Sequence, residues 1–307
     1  MANFAYGIAF QSDLPLRLPV VDRRPELVVE QLPQPVDRSE ARWFDLGLES
    51  WCKAARLGDG YYLLFDGEAE FLISFDGSSI RWSCFTEPSP TLTHLLLDHV
   101  FPRALTRRGK AILHGACLVS PSGHCYGIVG DSGRGKSTLA AALTARGHRF
   151  LADDCVVVDP SASPPSAVAA YPELRLGDDS VRLAAHCDLV EVGDVTRGGP
   201  KKRLALPGHD TELDLAHPLG AVFVLGRAGS DEPGLRVAYG PARATIELLS
   251  HSFHLSKADE RAGAVDRFAT IAESCDVRAL VYDHSPDGLR RAITDIEDVT
   301  SGPSGTS

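Results

Sequence analysis

Residues Gly130-Asp131-Ser132-Gly133-Arg134-Gly135-Lys136-Ser137 fit the pattern G-x-x-x-x-G-K-[ST]. The glycines let successive backbone N–H groups turn inward on one anion. A helix starting at Lys136 adds its positive N-terminal end. Lys136 is placed to reach the β- and γ-phosphates of a nucleotide, and the Ser137 hydroxyl to ligate Mg²⁺. The nucleotide-binding set is therefore Gly130 to Ser137 with Thr138 after it.

Asp153-Asp154 follows the apolar run "FLA" closely behind the loop. In phosphate-loop folds a strand often ends in a carboxylate that holds the metal. Two adjacent carboxylates divide the labour: one for Mg²⁺, one to take a proton from an acceptor hydroxyl. His114 is brought in by geometry. "SPSG" (Ser120–Gly123) is a turn between Ala111–Val119 and His124–Gly130, so paired residues sum to about 243–245. His114 then faces Val129–Asp131 at the mouth of the loop.

Weaker candidates flank this set. Glu173 and Arg175 are placed to assist phosphate or Mg²⁺, against the plainer reading of a surface strand pair. The stretch "TRGGPKKRLALP" holds Arg197, Lys201, Lys202 and Arg203 on a Gly-Pro loop. Lys202 and Arg203 are the choices there for neutralising phosphate charge or gripping an acidic peptide. His251 and His254 sit at i, i+3 on an expected helix with no third ligand in view, so a structural role is expected.

The elements that must position these groups divide the chain. Residues 1–87 read as a small β-rich domain, with prolines that break helices and β-like runs at Phe4–Phe10, Leu27–Leu32, Gly60–Phe65, Glu70–Phe75 and Ser79–Cys84. Asp76-Gly77 marks a hairpin turn. Residues 88–105 form a connecting helix, with His94 and His99 on its surface or at the edge of the core. Residues 106–298 alternate strands and helices as an α/β phosphate-loop domain with a mixed sheet. Its later strands are Ala221–Gly226, Gly234–Gly240 and Val277–Asp283, with helices near 242–255, 257–274 and 286–296. Residues 299–307 read as a disordered tail.

Composition narrows the function. A formal net charge of −10 over 307 residues argues against a nucleic-acid partner. Seven scattered cysteines without a CxxC pair suit reduced thiols in a cytoplasmic protein. No secretory leader is legible at the start, and no apolar run is long enough to span a membrane.

The block from His114-Gly115 through "GDSGRGKS", Arg146-Gly147-His148-Arg149 and Ala152-Asp153-Asp154 resembles the HPr kinase/phosphorylase superfamily. The similarity is dense over roughly residues 113–158 and thin elsewhere. The resemblance implies a P-loop serine kinase fold, shared with phosphoenolpyruvate carboxykinase, using ATP and Mg²⁺. It implies Asp154 as general base, Ser137 and Asp153 as metal ligands, and His114 and Lys136 in the active site. Two departures set the chain apart: Thr138 stands where HPr kinases carry glutamate, and "PELRLGDDSVRL" keeps only Glu173 and Arg175 of their E-[IV]-R-G-[LI]-G-[IL] stretch. The layout looks more like the lasso-peptide precursor kinases of ribosomal peptide biosynthesis, which implies a precursor peptide as acceptor. An HPr-type carrier protein, a small hydroxy compound, or a nucleotide-sensing regulator without catalysis are the alternatives. A homo-oligomer is compatible with any of them.

Overall fold

The computed structural model describes residues 1–45, 51–58, 60–171, 173–177, 181, 189–196, 199–206, 215–226, 233–255 and 261–301. Arg197, the expected helix start at Lys257 and residues 302–307 lie outside the described residues.

Among the described residues up to residue 84 there are nine strands: β1 (Ala2–Ala5), β2 (Ile8–Ser12), β3 (Val20–Val21), β4 (Leu27–Gln31), β5 (Arg42–Phe44), β6 (Cys52–Leu57), β7 (Gly60–Phe65), β8 (Ala69–Ser74) and β9 (Ser79–Cys84). They form one sheet in the order β3-β1-β2-β4-β9-β8-β7-β6-β5. β7 reads "GYYLLF" and is buried throughout, because both of its faces are covered. Tyr61, Leu63 and Phe65 join the main core, while Tyr62 and Leu64 pack with Ala55 and Leu72 on the other side. The Asp76-Gly77 turn closes β8 on β9. Gly77 has φ 71°, and a Cβ there would stand 2.3 Å from Ala104 O, so the turn needs glycine twice over.

The connecting helix is not uniform. α1 (Pro90–His94) and α2 (Phe101–Arg107) are joined by a wide π-type turn over Leu95–Val100. Pro102 has no N–H to give to the Asp98 carbonyl, and Phe101 N–H reaches back to Leu96 O, five residues earlier. Asp98 and His99 both meet His94 here: Asp98 Oδ2 lies 2.7 Å from its Nδ1, and the His99 ring lies 5.1 Å from its ring.

The remaining strands and helices are β10 (Ala111–Leu113), β11 (Gly115–Val119), β12 (Cys125–Val129), α3 (Lys136–Thr144), β13 (Arg149–Ala152), β14 (Val156–Asp159), β15 (Ser166–Val168), β16 (Glu173–Gly177), β17 (Val190–Asp194), β18 (Lys201–Ala205), β19 (Ala216–Leu225), β20 (Gly234–Leu235), α4 (Pro241–Ser250), α5 (Arg261–Ser274), β21 (Asp276–Val281) and α6 (Pro286–Thr300). The second sheet runs β10-β14-β15-β19-β12-β11-β13, with β21 beside β19 and β20 beside β21. β12, which leads into the phosphate loop, has antiparallel β11 on one side and parallel β19 on the other. β16, β18 and β17 form a separate small sheet. α3 is buried on both flanks: Leu139, Ala140 and Leu143 pack toward the second sheet, and Ala141 packs with Phe150, Leu174 and Leu204. Alanine suits a helix squeezed between two layers.

Several expected elements differ. The run Phe4–Phe10 is not one strand: it turns at Tyr6-Gly7, both at positive φ, into the antiparallel pair β1–β2. The single strand over Ala111–Val119 breaks at His114, where β10 leaves to pair with β14 and the His114 N–H donates to His251 O at 2.7 Å. The helix expected to reach Leu255 stops at Ser250, so His251 and His254 are not on it. There the chain becomes extended and pairs with β10, Phe253 N–H donating to Ile112 O at 3.0 Å. Of the strand expected over Gly234–Gly240, only Gly234–Leu235 forms a ladder, while Arg236 and Tyr239 keep isolated hydrogen bonds to β21 residues. α6 continues to Thr300, whose carbonyl accepts from Ser120 and Ser122.

One hydrophobic core runs from the first sheet through α1 and α2 into the second sheet. Phe101 is its pivot: its ring lies 5.2 Å from Tyr6 and 4.7 Å from Phe10.

Candidate active site

The hairpin β11–β12 has Gly115 opposite Val129, a pair summing to 244, so the start of β11, next to His114, abuts the start of the phosphate loop. Gly130, Gly133 and Gly135 all have positive φ, at 151°, 78° and 83°. At Gly135, the N-cap of α3, a Cβ would stand 2.2 Å from the Tyr282 hydroxyl. Glycine is therefore required there by conformation and by space. Lys136 is buried and arches back over the loop, its Nζ donating to Gly130 O at 2.8 Å and Asp131 O at 3.1 Å. Burial lowers its pKa, with Asp154 and Asp153 pulling the other way.

Asp153 and Asp154 follow the end of β13. Asp153 is 2% exposed. Its Oδ1 accepts from the Ser137 hydroxyl at 3.0 Å and from Asp154 N–H at 3.1 Å, and its Oδ2 accepts from Arg175 N–H at 3.1 Å. Burial first, then the neighbouring Asp154 charge, pushes its pKa up to about 6. Asp154 has φ 64°, a left-handed conformation that turns it away from the strand direction. Its side chain is 18% exposed, and Arg175 Nη1 lies 3.1 Å from its Oδ2. Burial alone would raise this carboxyl's pKa. The Arg175 charge outweighs that and holds it below the ordinary value, so it is a carboxylate at neutral pH.

His114 Nδ1 lies 3.0 Å from the Asp154 carbonyl oxygen. A carbonyl only accepts, so Nδ1 carries the hydrogen and Nε2 is left as an acceptor. Burial, then the Lys136 charge, lowers its pKa and keeps it neutral.

Two cavities meet at these groups. One, of about 520 Å³, is lined by Ser132, Gly133, Gly135, Lys136, Ser137 and Thr138 from the loop and helix, together with Arg175, Lys201 and His284. A second, of about 610 Å³, is lined by Gly130 and Asp131, Trp51, Asp98, Arg103 and residues 250–254. The two share His94, His99, His114, Ser132 and Asp154. Arg134 borders neither.

Not all expected site residues come together. Lys202 is paired with Asp194 at 2.5 Å and Glu191 at 3.4 Å. Arg203 and Glu173 are paired with each other at 2.6 Å, and Arg203 borders a different, 300 Å³ cavity near Arg17. Strand alternation in β18 explains the choice: Lys201, not Lys202, lines the phosphate cavity. Arg175 is no surface residue. It is 2% exposed and tied to carboxylates. His94 and His99 border both cavities and Asp98 borders the second, none of which the sequence reading expected. The available signal was His94, Asp98 and His99 set close together among the leucines and valine of Leu92–Val100, since such groups are seldom buried without partners.

Ser137 Oγ and a carboxylate are hard oxygen donors of the kind Mg²⁺ takes, usually with phosphate oxygens and water completing the shell. Among the described residues no group of three or more His, Cys, Asp or Glu side chains is arranged to hold a metal by itself. The loop amides, Lys136, Ser137 and Asp153 therefore fit a magnesium–nucleotide pair rather than a metal alone.

By sequence, this region is similar to part of several HPr kinase/phosphorylases. It is 43% identical over 67 residues to an HPr kinase/phosphorylase of Stenotrophomonas maltophilia, covering 22% of this chain and 21% of that one. It is 34% identical over 97 residues to one from Clostridium botulinum, covering 32% and 31%. The chain thus spans only about a fifth to a third of the length of these kinases. A longer match, 28% identical over 241 residues, is to the aliphatic sulfonates import ATP-binding protein SsuB 1 of Paracoccus denitrificans, covering 68% of this chain and 93% of that one. The Hpr(Ser) kinase/phosphatase of Coxiella burnetii superposes with a TM-score of 0.33 at 12% identity over 62% of this chain and 99% of that one, too loosely to bear on the fold. No family model matches the chain.

Proposed function

We propose that the protein is an ATP- and Mg²⁺-dependent kinase that passes the γ-phosphoryl group to a serine hydroxyl of a peptide or protein. The observation that carries this reading is the place of Asp154: a carboxylate at the junction of a cavity over the phosphate loop and a second cavity beside it. A base shared by two cavities suits transfer between two bound molecules better than sensing of one. The partial relatives named HPr kinase/phosphorylase support the same chemistry. A lasso-type precursor peptide is the finer form of the proposal, resting on the sequence resemblance. An HPr-type carrier protein is the form the named relatives favour.

In this reading the loop amides and Lys136 hold and neutralise the phosphate oxygens. Ser137 and Asp153 would hold Mg²⁺, which supplies charge neutralisation at the phosphates. Asp154 takes the proton from the acceptor hydroxyl, and Arg175 keeps it ionised. His114 fixes the Asp154 backbone and borders both cavities. Lys201 adds positive charge on the nucleotide side.

The SsuB match carries the rival reading, an ATPase that hydrolyses nucleotide without an acceptor. The two separate cleanly. The protein is incubated with Mg²⁺ and γ-labelled ATP in the presence of a serine-containing peptide, an HPr-type carrier protein or glycerol, and products are read by mass spectrometry. A phosphoryl group on a serine of either polypeptide supports the proposal. Label on glycerol alone, or inorganic phosphate alone, contradicts it.

A further inference from the structure

Asp98 belongs to no motif and lies in the wide turn between α1 and α2, 3% exposed. Three donors converge on its carboxylate. Arg175 Nη2 reaches Oδ1 at 2.5 Å, the Tyr171 hydroxyl reaches the same oxygen at 2.6 Å, and His94 Nδ1 reaches Oδ2 at 2.7 Å. Arg175 commits its other terminal nitrogen to the catalytic pair, with Nη1 at 3.1 Å from Asp154 Oδ2 and 3.3 Å from Asp153 O. A guanidinium is a rigid planar fork. Fixing one prong on Asp98 therefore fixes the other against Asp154.

The turn that carries Asp98 is held from the first sheet. Tyr6, the residue after β1, donates its hydroxyl to Leu97 O at 2.5 Å. Its ring stacks on Phe101 at 5.2 Å and meets Tyr171 edge-on at 5.7 Å. A continuous chain of contacts thus runs from the first sheet through Leu97, Asp98 and Arg175 to Asp154.

We propose that Asp98 is a positioning residue for phosphoryl transfer, acting through Arg175 to aim the Asp154 carboxylate, and that the first sheet takes part by holding the turn through Tyr6. This rests on Asp154 being the base. It gives Arg175 a role other than gripping phosphate, because both of its terminal nitrogens already hold carboxylates. It also gives the N-terminal strands a part in turnover.

The test compares Asp98→Asn, Arg175→Met, the double variant and Tyr6→Phe with the wild type, each in the full chain. Consumption of Mg-ATP is measured with and without a serine-containing peptide, alongside Mg-ATP affinity. For Asp98→Asn the expected result is a loss of kcat of tenfold or more, with Mg-ATP affinity within about threefold of wild type. The double variant is expected to be no slower than Arg175→Met alone, because Asp98 acts through that side chain. Tyr6→Phe keeps the ring stack, is expected to fold, and should lower kcat several-fold. An Asp98→Asn or Tyr6→Phe protein with wild-type kcat overturns the proposal. So does a double variant whose losses multiply, or a loss that falls on nucleotide affinity rather than kcat. A wild type that hydrolyses Mg-ATP without modifying any acceptor overturns the parent reading instead, and the same rate comparison can then be made on hydrolysis.

Discussion

The Ser137 hydroxyl donates to Asp153 Oδ1 at 3.0 Å, joining the end of the phosphate loop to the residue that follows β13. In the proposed reading these two side chains would hold Mg²⁺. Ser137→Ala and Asp153→Asn should each weaken Mg-dependent nucleotide binding by about 10–100-fold, with little effect on the nucleotide alone. Calorimetric titration with and without Mg²⁺ checks this. Unchanged affinity in either variant contradicts the assignment.

Lys201 and Lys202 are neighbours on β18 with opposite surroundings. Lys201 borders the phosphate cavity, and its charge acts on both Lys136 and Asp154. Lys202 is occupied by Asp194 and Glu191. Lys201→Ala should lower kcat/KM by about tenfold or more. Lys202→Ala removes only a half-exposed pair and should change it less than about twofold. Steady-state kinetics on the two variants decides between them.

His99 is held neutral. Burial first, then the His94 and Arg103 charges, lowers its pKa to about 3. The unfolded chain takes up this proton near the ordinary histidine value, about 6.5. The folded chain resists it, so the group's contribution to stability is complete above that pH and is lost as pH falls toward 3. Between pH 6.5 and 5 the loss from this group approaches ~2 kcal/mol. Denaturant unfolding at pH 7.5 and pH 5 should show a steeper acid loss for wild type than for His99→Phe. Equal slopes contradict the account.

How far the sequence alone reached is clearest around the loop. The glycines, Lys136 and Ser137 were legible because local backbone demands select them. The turn at Ser120–Gly123 fixed the hairpin register, and with it the nearness of residue 114 to the loop. In the first sheet β4, β7, β8 and β9 were legible because their apolar runs are bounded by turn residues, whereas the run Phe4–Phe10 turns at Tyr6-Gly7 into the antiparallel pair β1–β2, and β3, β5 and β6 gave no such run. Other features were set by contacts distant in sequence. That His114 breaks its strand depends on residue 251, and that α4 stops at Ser250 depends on pairing with β10. Lys201 could not be told from Lys202 without the alternation of a strand that read as a loop. Asp98 could not be linked to Arg175 by any local rule, and the wide turn before Pro102 hid its approach to the site.

Asp154→Asn tests the central claim most directly. The substitution keeps the shape of the side chain and removes its ability to take a proton. The expected result is Mg-ATP affinity within about threefold of wild type and phosphoryl transfer to the serine acceptor lowered by about 100-fold or more. Transfer at the wild-type rate, measured by mass spectrometry of the acceptor under single-turnover conditions, would contradict the account.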